Sequence, residues 1–225
     1  MTNDAVDTMS RWQQVDDYLE SHLTAADRDG AQVLAAQREA GLPDIALSPV
    51  EARLLEVLAR SIGARIVVEF GTLGGYSALH LARALPADGQ LITIERDEYH
   101  AQVARASLDK AGVGHKVTIR VGTGVELIPT LADDAPVDLV FIDADKRSNV
   151  AYYEAAVAIA HPGTLIVIDN VVRSGGIADP DDMDENVVGS RAVIERVAQD
   201  HRVVATAIQT VGRKGHDGML IATVL

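Results

Sequence analysis

The stretch Ile66-Val67-Val68-Glu69-Phe70-Gly71-Thr72-Leu73-Gly74-Gly75-Tyr76-Ser77 decides the fold. A short apolar run bounded by glycine reads as a buried strand, and the helical pattern Tyr76 to Leu85 follows at once. Glycines at 71, 74 and 75 free the backbone for a tight strand-to-helix turn and let a ligand approach the main chain closely. Four further runs share this grammar: Leu91 to Glu95, Val117 to Val121, Val137 to Asp143 and Thr164 to Asp169. Helical patterns fill the gaps, at Glu98 to Gly112, Gly124 to Leu131 and Asn149 to Ala160. Strand and helix in alternation make βαβ units, so the spacing predicts an α/β, doubly wound fold with a parallel sheet and helices on both faces.

Downstream of Asp169 the pattern loosens into Arg173-Ser174-Gly175-Gly176 and the acidic tract Asp179 to Glu185, read as a mobile, solvated loop over the site, before a helix from about Val187 to Gln199. Arg202 to Gln209 and Gly218 to Val224, separated by Gly212 to Asp217, read as a closing hairpin. The sheet is then seven-stranded and mostly parallel. Upstream, residues 5 to 41 carry helical spacing, with Trp12, Val15, Tyr18 and Leu19 on one face. Ser48-Pro49 supplies an N-cap and an N1 proline for a helix from about Pro49 to Ile62. Residues 1–47 are therefore expected to be helices packing on the core, with a dimer partner as a further surface for them, and 48–225 the main domain.

At 225 residues the chain suits one large domain, and 48% hydrophobic residues supply a sizeable core. With 20 basic against 33 acidic residues the net charge is −13, which repels phosphate backbones and anionic lipid, so neither nucleic acid nor a membrane is an expected partner. The absence of cysteine excludes disulfides, thiolate metal sites and cysteine nucleophiles. Met1 to Ser10 lacks the features of a secretory signal, and the apolar stretch Ala155 to Ile168 is broken by His161, Pro162 and Gly163. A cytoplasmic protein is expected.

Ligands of doubly wound sheets bind outside the carboxyl ends of the strands. A nicotinamide fingerprint counted from Gly71 would need glycine at Leu73 and Tyr76, and no P-loop occurs, so an NAD-dependent dehydrogenase ranks low. Glu95 ends the second strand, where a carboxylate can accept from both hydroxyls of a ribose. A glycine-rich turn, that acid and no phosphate-binding pattern point to an adenosine ligand without pyrophosphate, such as S-adenosylmethionine. The bland alternative is a plain turn beside a solvated strand end.

Glu69 to Ser77, Leu91 to Glu95, Ala111-Gly112-Val113, Phe141-Ile142-Asp143-Ala144-Asp145-Lys146 and Ile168-Asp169-Asn170 together resemble the cation-dependent class I O-methyltransferases of the catechol and caffeoyl-CoA type. The similarity runs from about Ser48 to the C-terminus. It implies a Rossmann-like methyltransferase fold, and contacts to S-adenosylmethionine from Glu69, Gly71, Tyr76, Ser77, Glu95, Gly124 and Asp143. It also implies a homodimer, for which Trp12 and Tyr18 offer apolar surface.

Asp143, Asp169 and Asn170 offer oxygen atoms only, a donor set that suits Mg²⁺ first, with Ca²⁺ or Mn²⁺ as alternatives. The resemblance assigns the same three as metal ligands. A cation holding two adjacent phenolic oxygens would acidify the attacking hydroxyl and orient it. Lys146 lies three residues beyond Asp143 and shares its loop, and a divalent cation nearby disfavours an ammonium, which suits a general base. The resemblance gives Lys146 that role and makes Asp143 and Lys146 the catalytic pair. Against this stand N-capping by Asp143 or Asp145 and a merely solvated Lys146. The scattered histidines lack metal-ligand spacing, and the acidic tract lacks an EF-hand pattern.

Three departures from the family pattern stand out: Gly74 where many members have threonine, Gly122-Thr123-Gly124 where many have an acid followed by alanine, and Val171-Val172-Arg173 after Asp169-Asn170, where plant members often carry a tryptophan. The reading is a divalent-cation-dependent O-methyltransferase that moves a methyl group from S-adenosylmethionine to a hydroxyl of a catechol-like phenolic acceptor. The rival is a non-catalytic protein that keeps the adenosine pocket.

Overall fold

In the computed structural model, which describes residues 3–225 and side chains from Thr8 onward, the apolar strand residues divide between two faces. Val67, Leu91, Leu139, Phe141 and Val167 bury against one helical layer, while Val68, Phe70, Ile92, Val140, Ile142 and Ile168 bury against the other. Successive strand side chains point to opposite faces, so a run that is apolar at every position demands cover on both. The strands are β1 (Ile66–Phe70), β2 (Gln90–Glu95), β3 (Val117–Val121), β4 (Val137–Ile142), β5 (Ala160–Asp169), β6 (Val203–Gly212) and β7 (Gly215–Val224). Cover comes on one face from α2 (Arg28–Glu39), α3 (Pro49–Ser61), α4 (Tyr76–Ala84) and α5 (Glu98–Lys110), through Val33, Leu55, Leu79 and Leu108. On the other it comes from α7 (Asn149–Ala158) and α8 (Glu185–Ala198), through Tyr152, Tyr153 and Val193. α1 (Asn3–Leu23) and the short α6 (Gly124–Leu127) complete the helices described.

The seven strands lie in the order β3-β2-β1-β4-β5-β7-β6. All pairings are parallel except those of β7, which runs antiparallel to both β5 and β6. The Rossmann-like fold read from the sequence is the fold found. Chain direction across the sheet reverses between β1 and β4, and at such a switch point the loops diverge and leave a crevice. α3 starts where the sequence says, because Ser48 and Glu51 form a reciprocal capping box with Pro49 in the first turn.

Several boundaries differ from expectation. The predicted helix to Leu131 is α-helical only to Leu127 and continues as a tighter 3₁₀ turn across Pro129. The closing hairpin is longer than predicted, with only Arg213 and Lys214 between its strands. The acidic tract resolves into turns, since Asp179, Asp182 and Asp184 each accept the backbone N–H two residues on, and Glu185 already opens α8. The apolar face predicted for α1 is split, with Trp12 and Leu19 half-buried and Val15 51% and Tyr18 65% exposed. This helix is held instead by charge. Buried Asp16 accepts the N–H of Arg213 at 2.6 Å, and the Arg213 guanidinium reaches Asp17 and Glu20. Among the described residues no helix is both long and apolar enough to cross a membrane.

Candidate active site

The turn after β1 sets the first half of the site. Gly71 has φ +97°, and a Cβ there would lie 2.2 Å from the carbonyl oxygen of Asp143. Only glycine lets β1 and the end of β4 approach so closely. Gly71 N–H donates to Ile94 O at 3.0 Å and Asp143 N–H to Phe70 O at 2.8 Å, so the ends of β1, β2 and β4 are stitched together. Glu95 fixes the same turn, with one carboxylate oxygen accepting Leu73 N–H at 2.7 Å and the other Asp97 N–H at 3.0 Å.

Glu69 is fully buried beneath this turn. Burial pushes its carboxyl up to about 7, and the Ser77 and Thr93 hydroxyls pull against that rise. Thr93 donates to Oε2 at 2.6 Å and pairs with Thr72 at 2.5 Å, whereas Oε1 is buried without a hydrogen-bond partner. Tyr76 opens α4 with its ring edge-on to His80, 5.1 Å between centroids, and burial drives its phenol up to about 12.

The second half stands at the ends of β4 and β5. Lys146 is buried and donates to Asp143 Oδ1 at 2.7 Å. Asp169, 4% exposed, has its carboxyl raised first by burial and then by the charge of Asp143, with the Lys146 ammonium opposing. Asn170 follows with φ +57°, and its carbonyl accepts the Ser190 hydroxyl of α8 at 3.1 Å. Asp145 takes the structural role the sequence allowed for it. It accepts from the Ser148 amide and hydroxyl and from the Tyr152 hydroxyl, which caps the turn leading into α7. Among the described residues no three His, Asp or Glu side chains form a metal-holding group, so the oxygen set at hand is two carboxylates and one amide.

Both halves open into one cavity of about 480 Å³, a size that suits a small-molecule ligand. Gly71, Tyr76, Ser77, Glu95 and Gly124 line its β1–β2 end, and Asp143, Lys146 and Asn170 its β4–β5 end. Of the residues picked from sequence, Glu69 and Asp169 sit behind the wall, packed against residues that line it.

Several contributors escaped the sequence reading. Gln37 of α2 lines the cavity, and its amide occupies the space a Cβ on Gly74 would need, 2.1 Å from its Cγ. That accounts for glycine in place of a larger residue at 74. The Tyr152 ring stacks on Phe70 at 4.5 Å and stands 2.6 Å from where a Cβ on Gly124 would be, which accounts for the third residue of Gly122-Thr123-Gly124. Gly189 lets α8 press on the backbone of Lys146, where a Cβ would fall 2.2 Å from the carbonyl oxygen. A lone glycine inside a helical pattern was the available signal for this contact.

Comparison with known proteins agrees with this geometry. A family model described as O-methyltransferase matches residues 30–223, starting within α2 and so earlier than the motifs alone suggest. The chain is 47% identical over 211 residues to a catechol O-methyltransferase of Mycobacterium tuberculosis, covering 93% of this chain and 94% of that protein. It is 39% identical over 215 residues to a catechol O-methyltransferase of Niastella koreensis, covering 95% and 97%. The O-methyltransferase of Bacillus cereus, solved in complex with S-adenosylhomocysteine, matches with a TM-score of 0.94 at 40% identity over 96% of this chain and all of that one. A doubly wound sheet with a crevice at its switch point, matched end to end by a solved O-methyltransferase, is that of a Rossmann-like methyltransferase. The chain belongs to the O-methyltransferase family and is an S-adenosylmethionine-dependent enzyme acting on a small-molecule acceptor.

Proposed function

We propose that this enzyme is a divalent-cation-dependent O-methyltransferase whose acceptor is a vicinal dihydroxy aromatic compound. The observation that carries the reading is the oxygen-rich end of the cavity, where Asp143 and Asn170 converge beside the buried Asp169. Burial and the neighbouring Asp143 charge raise the proton affinity of Asp169, with only the Lys146 ammonium opposing, so this pair of carboxylates favours a further cation. Asp143, Asp169 and the Asn170 amide would hold the ion, and Mg²⁺ suits such hard oxygen ligands best. When bound, the cation would supply Lewis-acid activation of one acceptor hydroxyl and fix the catechol by both oxygens.

The remaining work falls to the chain itself. Glu95 suits the ribose hydroxyls of the methyl donor. Gly71, Tyr76, Ser77 and Gly124 shape the wall that holds the donor, and the partnerless Oε1 of Glu69 lies below it as an acceptor for the ammonium end. Lys146, as the free amine oriented by Asp143, accepts the acceptor's phenolic proton as the oxygen bonds to the sulfonium methyl, and the breaking S–C bond leaves its electron pair on the sulfur of S-adenosylhomocysteine. The enzyme is expected in the cytoplasm as a homodimer. Exposed Val15 and Tyr18 on α1, together with Val204, Ile208 and Val211 on the edge strand β6, supply the apolar surface for the subunit contact.

The test is methylation of a catechol panel with S-adenosylmethionine, in Mg²⁺ or in EDTA, read by mass spectrometry. Product in Mg²⁺ that disappears in EDTA is expected. Undiminished product in EDTA would sink the cation, and donor binding without turnover of any catechol would sink the acceptor class.

A further inference from the structure

Arg173 stands three residues past Asn170 and lines the cavity with it. Its backbone is held in the left-handed region at φ +53°, between Asn170 at +57° and Ser174 at +55°. Such conformations cost a non-glycine residue about 1 kcal/mol or more, and they persist only where surrounding structure enforces them. The enforcing group is Asp217. Its Oδ1 accepts three backbone N–H groups, from Val172 at 3.1 Å, Arg173 at 3.0 Å and Gly218 at 2.9 Å.

With that oxygen committed to the backbone, the carboxylate is a poor partner for the guanidinium. Arg173 Nη1 lies 4.0 Å from Asp217 Oδ2, beyond hydrogen-bond range. Among the described residues the Arg173 side chain donates no hydrogen bond, although Asp184 lies close enough to feel its charge. A strained backbone thus presents a five-donor cation, with little of its capacity used, on the cavity wall that also carries Asp143, Lys146 and Asn170. Asn186, at the start of α8, stands beside it on the cavity wall.

We infer that Arg173 is a specificity-determining residue which recognises a carboxylate on the acceptor, so that the preferred substrates are carboxylated catechols. This rests on the catechol reading above. The guanidinium fork matches a carboxylate in two parallel hydrogen bonds, and this would orient the ring with its hydroxyls toward Asp143 and Lys146. Asp217 is then a positioning residue that acts through Arg173.

The experiment compares kcat/KM for 3,4-dihydroxybenzoate and for its neutral methyl ester in wild type, Arg173→Gln and Arg173→Lys. Wild type is expected to favour the free acid. The glutamine variant should lose about tenfold or more on the acid, mainly through KM, and change by less than about twofold on the ester, since hydrogen bonds to charged groups are worth that much. Lysine should restore part of the loss. The ester rate reports whether each variant is folded. Equal losses on both acceptors, or no loss on either, would overturn the role of Arg173 alone. Failure of wild type to methylate either compound would overturn the catechol reading, and this inference with it.

Discussion

The two ends of the cavity are built differently. At the β1–β2 end the shaping groups come mostly from one short stretch, Glu69 to Ser77, and from Glu95 on the neighbouring strand. At the β4–β5 end Asn170, Lys146 and Arg173 are seated by residues remote in the chain. Ser190 and Gly189 of α8 seat Asn170 and Lys146, and Asp217 of the hairpin seats the backbone at Arg173. A common donor can be held by a fixed local motif. An acceptor site assembled from separate elements can be altered one support at a time.

The strongest way to break this contrast is Gly71→Ala, because the new methyl would strike the backbone of Asp143 and force a strained φ. A loss of about 4 kcal/mol in denaturant unfolding is expected, with donor binding and turnover falling together. Asp169→Ala should separate the two ends. Turnover in Mg²⁺ is expected to fall about a hundredfold or more while the dissociation constant for S-adenosylmethionine, by calorimetry, stays within about twofold.

The pH response sharpens the donor end. Glu69 has its carboxyl raised to about 7, so the folded apoprotein keeps a proton there that the unfolded chain releases near 4.5. Its contribution to stability accordingly declines as pH rises from about 4.5 to 7. The cationic donor favours the ionised form, so its affinity should weaken below pH 7 by up to about tenfold per pH unit. Glu69→Gln should flatten that profile, and an unchanged profile would remove Glu69 from donor binding. The mildest effect is expected from Asp217→Asn, which replaces a charged acceptor of three amides with a neutral one. A rise of about fivefold in acceptor KM, with donor affinity constant, would fit the loss of ~1 kcal/mol of support.

Sequence reading reached what local pattern encodes. Runs such as Leu139 to Ile142, apolar at every position, required a sheet covered on both faces, and the glycine cluster after β1 required a close backbone approach. It could not see supports whose partners lie far away in the chain. Nothing around Asp217 announces that its carboxylate holds residues 172 and 173. Nothing around Asp27 or Glu56 announces that they flank His80 at 3.3 and 3.1 Å and tie α2, α3 and α4 together. How α1 is seated was hidden for a related reason. Helical spacing shows which side chains share a side, but Arg213, almost two hundred residues on, decides which side turns inward.

The register of β1 against β4 carries one last consequence. Phe70 pairs with Ile142, so Gly71 and Asp143 leave the sheet side by side on neighbouring strands. On the function proposed above, the separation between the donor's cradle and the acceptor's anchor is one interstrand step, about 4.8 Å, set by main-chain pairing. With Gly71 in place, that backbone yardstick is indifferent to side-chain replacement elsewhere. Loops on the acceptor side can diverge among relatives, and new phenols can be tried, without resetting the length of the methyl jump.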